Sequence, residues 1–107
     1  MAVVNMDTDA YKNVTEGEKP VLIEYWAPWC GYCRRIGPAF DEISGQFEGT
    51  LVFGKVNIDE SPELAAKDKI DIIPTLVFYK EGKSVGSCIA PNSKAGIESF
   101  IRKHLGS

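Results

Sequence analysis

Two cysteines three residues apart, Cys30 and Cys33, are the part of this sequence best equipped for chemistry. In a reducing compartment a Cys-x-x-Cys signals metal binding or redox exchange before it signals a structural staple. Cys88 stands alone, and three cysteines do not suit a fully paired disulfide framework. The pair follows Ala27-Pro28-Trp29 and should open a helix, where unpaired N–H groups and the positive end of the dipole favour an anion. A thiolate is such an anion, so Cys30 is the expected nucleophile, with a lowered pKa. Cys33 falls one helical turn on, within disulfide reach and nearer the protein. Gly31 removes a side chain beside the reactive sulfur, and Trp29 offers a flat apolar contact. The metal reading is weaker. A structural zinc site needs four ligands, and beyond the pair only Cys88 and His104 remain, both distant in sequence. No metal is expected.

The elements that must position the pair can be read from periodicity. Val3-Val4 is a short apolar run, Asp7 is a candidate N-cap, and Tyr11 and Val14 lie at helical spacing in a first helix ending by Gly17. Residues 21–26, VLIEYW, form a β-branched and aromatic strand that leads straight to the motif. Glu24 is a charge in its middle, which a buried strand does not carry without a reason. After the motif, Ile36, Ala39, Phe40, Ile43 and Phe47 make one helical stripe, with Pro38 inside it and a kink expected there. Residues 51–56 are the next strand. Ser61-Pro62 caps and opens a short helix to about Lys67. Residues 75–79 and 84–89 are strands joined at Glu81-Gly82, an expected antiparallel hairpin. Ser93 caps a last helix with Ile97, Phe100, Ile101 and Leu105 on its core side. The order β-α-β-α-β-α-β-β-α implies an α/β fold of three layers, a mixed central sheet with helices on both faces.

Composition narrows the function classes. The chain has 107 residues, a net charge of −3 from 12 basic and 15 acidic side chains, and 44 % hydrophobic content. That length suits one domain spanning residues 1–107. The mild acidity argues against nucleic acid or an anionic membrane as partner. No apolar stretch approaches the roughly 20 residues of a bilayer span. No basic segment followed by an apolar one opens the chain, so a cytoplasmic protein is expected.

Trp26-Ala27-Pro28-Trp29-Cys30-Gly31-Tyr32-Cys33 resembles the active site of the thioredoxins, which typically read WCGPC. The resemblance extends through Pro38, Asn57-Ile58-Asp59, Ile73-Pro74-Thr75 and Gly82 to the last helix, covering essentially the whole chain. It implies the thioredoxin fold, about five strands flanked by four helices, and a protein-disulfide reductase. Cys30 would form a mixed disulfide with the substrate and Cys33 would resolve it. The implied partners are disulfide-containing proteins and a thioredoxin reductase, NADPH- or ferredoxin-linked. No cofactor beyond the Cys30–Cys33 disulfide is implied, and the protein is expected to act as a monomer. Glu24 matches the family's buried acid behind the resolving cysteine, usually Asp, and Lys55 the lysine that pairs with it. Pro74 matches the family's cis-proline, which leaves the backbone of Ile73 free for an extended substrate. Trp29, Ile58, Ile73, Pro74, Ile89, Ala90 and Pro91 would form the apolar docking patch, with Ile58 and Ile89 equally suited to ordinary packing.

Two departures bear on the chemistry. Tyr32 replaces the usual proline between the cysteines and restores an N–H expected to stabilise the Cys30 thiolate, making the disulfide more oxidising. CGYC also resembles the centre of some periplasmic disulfide isomerases, so an isomerase or oxidase is the alternative function. A non-catalytic binding module on the same fold is another rival, disfavoured by the intact pair. Ala90 stands where the family usually has glycine and narrows the groove. Asp59, Gly82 and Pro38 read as structural, Cys88 as a packing cysteine, and His104 as a helix-end cation.

Overall fold

A computed structural model of the chain describes residues 3–106, so Met1, Ala2 and Ser107 lie outside the account that follows. Nine elements run β1 (Val3–Asn5), α1 (Thr8–Thr15), β2 (Val21–Trp26), α2 (Gly31–Gln46), β3 (Val52–Asn57), α3 (Pro62–Lys67), β4 (Thr75–Lys80), β5 (Lys83–Ile89) and α4 (Lys94–Leu105). They build one mixed sheet in the order β1-β3-β2-β4-β5. β3 pairs in parallel with β1 and β2, while β4 runs antiparallel to β2 and β5.

β2 sits at the centre because its sequence is apolar on both faces, and Val21 through Tyr25 are all buried. Side chains alternate along it. Leu22 joins Phe53, Leu76 and Phe78 beneath Phe40, Ile43 and Phe47 of α2 and Ile97 and Ile101 of α4. Val21, Ile23 and Tyr25 join Val56, Val77 and Tyr79 beneath Tyr11 of α1 and Leu64 of α3. Each fully buried Leu, Ile or Phe contributes about 1.5–3 kcal/mol, so these two layers fix which side of β2 each residue faces. Glu24 is therefore held toward α2.

The caps follow the sequence in two helices. The Asp7 carboxylate accepts from the Ala10 N–H at 2.9 Å, and the Ser93 hydroxyl from that of Gly96 at 3.0 Å. At α3 the expectation is half right: Pro62 opens the helix, but the Ser61 side chain makes no capping bond. β3 starts one residue later than its apolar run. The Leu51 N–H is taken by the Phe47 carbonyl at 3.2 Å, which assigns that residue to the turn closing α2. α2 runs unbroken through Pro38, which lies on the exposed side of the helix. Glu81 and Gly82 both take positive φ, 54° and 79°, the geometry of a two-residue hairpin whose twist matches its strands.

His104 is more than a helix-end cation. Its ring stacks on Phe78 at 5.4 Å and contacts Phe100 at 4.5 Å. Beneath it, a Cβ on Gly86 would come within 2.2 Å of the imidazole, so only glycine lets α4 settle on β5. Cys88 packs half-buried against the α2/α4 layer, and burial pushes its thiol pKa up.

Candidate active site

β2 ends at Trp26, and a four-residue turn delivers Cys30 to the N-cap of α2. The backbone of Cys30 is extended (φ −89°, ψ 107°), and its sulfur accepts the Cys33 N–H at 3.2 Å. An N-cap side chain accepts from the second or third helical residue, and Cys33 is the third. In the disulfide form, the N–H that reaches this sulfur is that of Cys33. Cys30 and Cys33 are joined as a disulfide across a Cα–Cα distance of 5.3 Å. Cys30 is half-buried at the surface, whereas Cys33 is only 2 % exposed. A half-exposed sulfur and a sheltered one are thus joined across one turn of helix. Arg34 braces the turn by donating to the Pro28 carbonyl at 2.8 Å.

On the face of β2 that α2 covers lies Glu24, with no exposed surface and neither carboxylate oxygen hydrogen-bonded. Burial raises its pKa from 4.5 to about 7, against the pull of Lys55 and with help from Asp41. Lys55 sits opposite Glu24 in the β2–β3 register but does not bond it. Its ammonium lies over the Trp26 ring at 5.2 Å and 4.0 Å from where a Gly37 Cβ would stand. Cys33, Gly37 and Asp41 follow one another at helical spacing, so this strip of α2 covers the Glu24–Lys55 pair. The sequence singled out the acid and the lysine; the effect of Asp41 appears only when α2 is laid on the sheet. A polar pocket of about 470 Å³ opens beside Lys55 and Trp26, lined also by Asn5, Asn57, Glu60 and Ser61.

The groove residues divide into those exposed and those that shape it. Trp29 is 65 % exposed and Ile89 58 %, and Ile72, absent from the sequence-based patch, is 52 % exposed beside Ile89. The Trp29 indole N–H donates to the Asp59 carboxylate at 3.0 Å, so Asp59 holds that exposed ring as well as belonging to its turn. Ile58 and Ile73 are half-buried and pack on the α1/α3 layer. The Ile73–Pro74 peptide is cis, and the Ile73 carbonyl lies 4.0 Å from the Cys30 sulfur. Pro74 and Pro91 are buried. The Ala90 N–H donates to the Pro74 carbonyl at 2.7 Å. Ala90 takes φ 46°, the left-handed region that favours glycine. Tyr32 is half-buried, donates its hydroxyl to the Pro91 carbonyl at 2.7 Å and carries Arg35 over its ring. Gly31 has open space around its Cα, consistent with close approach of a substrate backbone. Among the described residues, no group of three or more His, Cys, Asp or Glu is placed to hold a metal ion.

A helix-capping cysteine disulfide-bonded to a buried one, beside a cis-proline and with a buried acid under the same helix, defines a dithiol–disulfide exchange protein. The thioredoxin family model matches residues 2–103. The chain is 39 % identical to thioredoxin 1 of Nostoc sp., over 92 % of each chain. It is 43 % identical to the chloroplastic M-type thioredoxin of Chlamydomonas reinhardtii, over 94 % of this chain and 72 % of that one. The crystal structure of Malassezia sympodialis thioredoxin superposes with a TM-score of 0.88 at 33 % identity, covering 98 % of this chain and 95 % of that one. The chain belongs to the thioredoxin family. It is a thiol–disulfide oxidoreductase of the protein-disulfide reductase type, and the isomerase or oxidase reading is not favoured. Its redox group is its own cysteine pair.

Proposed function

We propose that Cys30 is the attacking thiolate, Cys33 the resolving thiol and Glu24 the proton acceptor for Cys33, with Lys55 tuning that acid. The observation that carries this is the unpartnered Glu24 carboxyl on the side of the sheet that α2 covers, poised near neutral pH. In the reduced protein the Cys30 thiolate attacks a substrate sulfur. The substrate S–S bond breaks, one substrate thiolate leaves, and a mixed disulfide forms. Glu24 then takes the Cys33 proton, directly or through one water. The Cys33 thiolate attacks the Cys30 sulfur, releasing the second substrate thiolate and closing Cys30–Cys33. The substrate gains two electrons and the protein loses two.

The docking surface in this reading is Trp29, Ile72 and Ile89 over the free backbone of Ile73, walled by Pro74, Ala90 and Pro91, with Gly31 and Tyr32 at its edge and Ile58 beneath. Extended, apolar segments of disulfide-bonded proteins suit it. A thioredoxin reductase, NADPH- or ferredoxin-linked, would return the pair to the dithiol. Action as a monomer in the cytoplasm fits a reductant that needs a reducing pool, and fractionation of source cells tests the location. The function is tested by insulin reduction with each class of reductase. We expect turnover by the unmutated chain, none by Cys30→Ser, and accumulation of mixed disulfides by Cys33→Ser. A Cys33→Ser chain that turns over normally would refute the roles.

A further inference from the structure

On the opposite face of the sheet, four elements meet at one carboxylate. Asp68 closes α3, and its Oδ2 accepts the hydroxyl of Tyr25 at 2.5 Å, that of Tyr11 at 3.3 Å, and that of Tyr79. The Tyr25 and Tyr79 oxygens lie 2.7 Å apart. The three donors come from β2, α1 and β4, so no local segment accounts for the arrangement. Local physics opposes it. A carboxylate at a helix C-terminus faces the negative end of the dipole. The next residue, Lys69, takes φ 55°, a conformation that favours glycine. Charge-assisted bonds from three phenols offset both costs. The dependence is mutual, because all three tyrosines are buried and a buried hydroxyl without an acceptor is expensive. Burial is also the largest cause of the raised pKa of each tyrosine, which keeps the hydroxyls protonated as donors.

What this cluster holds is the segment that reaches the active site. From Asp68 the chain runs through Ile72 to Ile73 and the cis-proline. Among the described residues, the amides of Asp71, Ile72 and Ile73 make no backbone hydrogen bond. The far end of the segment is held where the Thr75 hydroxyl donates to the Ile72 carbonyl at 2.5 Å and Ala90 donates to Pro74. The near end has Asp68 as its side-chain anchor. We propose that Asp68, clamped by Tyr11, Tyr25 and Tyr79, is a positioning residue for protein-disulfide reduction: it fixes the α3–β4 segment so that Ile73 is presented to an extended substrate beside Cys30. The proposal rests on the docking reading given above. Asp68 touches no reacting atom, so it acts on substrate recognition and leaves the exchange at sulfur unaltered.

The test compares two substrates on the full chain carrying Asp68→Asn: insulin, which must dock, and dithionitrobenzoate, a small aromatic disulfide that needs only the sulfurs. If the presented conformation falls to about one fifth of the population, KM for insulin rises about fivefold. The rate with the small disulfide and the redox potential stay as in the unmutated chain. An unchanged KM for insulin in a folded variant, or equal slowing with both substrates, overturns the proposal. Should Asp68→Asn fail to fold, Tyr11→Phe removes only the longest of the three bonds. A rise of about twofold in KM for insulin alone then supports the proposal, and no rise refutes it. An unmutated chain active on the small disulfide but inert toward insulin would instead refute the docking reading itself.

Discussion

The molecule holds one carboxylate against each face of its sheet, and the two are treated in opposite ways. Glu24, toward α2, has no hydrogen-bond donor and a pKa pushed up to about 7. Asp68, toward α1 and α3, gathers three phenol donors on a single oxygen. A carboxyl denied donors in a dry site holds its proton loosely enough at neutral pH to exchange it, which suits a group that must receive one. A carboxylate saturated with donors is fixed in place, which suits an anchor. Burial alone therefore says nothing of a carboxylate's role; its donors decide.

Mutating each carboxylate to its amide should move stability in opposite directions. Glu24 keeps its proton in the folded chain up to about pH 7 but loses it near 4.5 when unfolded. Between those values the folded state binds more protons, so stability falls as pH rises and is flat outside that window. Glu24→Gln removes this loss. The oxidised variant should be more stable by about 3 kcal/mol at pH 8 and indistinguishable at pH 4, as denaturant melts at both values would show. Its insulin reduction should lose the pH dependence that comes from Glu24. A variant no more stable at pH 8 would mean that Glu24 is not held protonated by burial.

Asp68→Asn should lower stability by about 2 kcal/mol at pH 8, because three buried hydroxyls lose a charged acceptor. Equal and same-signed effects of the two amides would break the contrast. Lys55→Met sharpens it on one side only. Removing the charge that pulls the Glu24 pKa down should raise that titration further, visible by carboxyl carbon resonance, and leave Asp68 untouched. Ala90→Gly is the smallest change expected. Relief of the positive φ should add about 0.5 kcal/mol to the stability, read by thermal denaturation.

Much of the site was legible because its parts lie close in sequence or announce themselves by type. Cys30 and Cys33 sit within one turn, and Glu24 is conspicuous as a charge in an otherwise apolar strand. Asp59 went unrecognised as the holder of Trp29, since the hydrogen bond crosses thirty positions. Ile72 was passed over because an isoleucine carries no mark of exposure. The separate Asp68–tyrosine cluster was invisible for the strongest reason: its four members come from four elements.

By itself the sequence determined the order of elements, through periodicity and caps, and the chemistry of the pair, through two cysteines at a helix start. These are short-range matters, settled by covalent spacing and local hydrogen bonds. Only the tertiary structure decided which face of β2 each side chain occupies, that Glu24 is left without donors, and that Tyr11, Tyr25 and Tyr79 converge on Asp68. Those outcomes depend on how far a group is removed from water and on what remote segment lies opposite it, quantities that exist only once the sheet is packed between its helices.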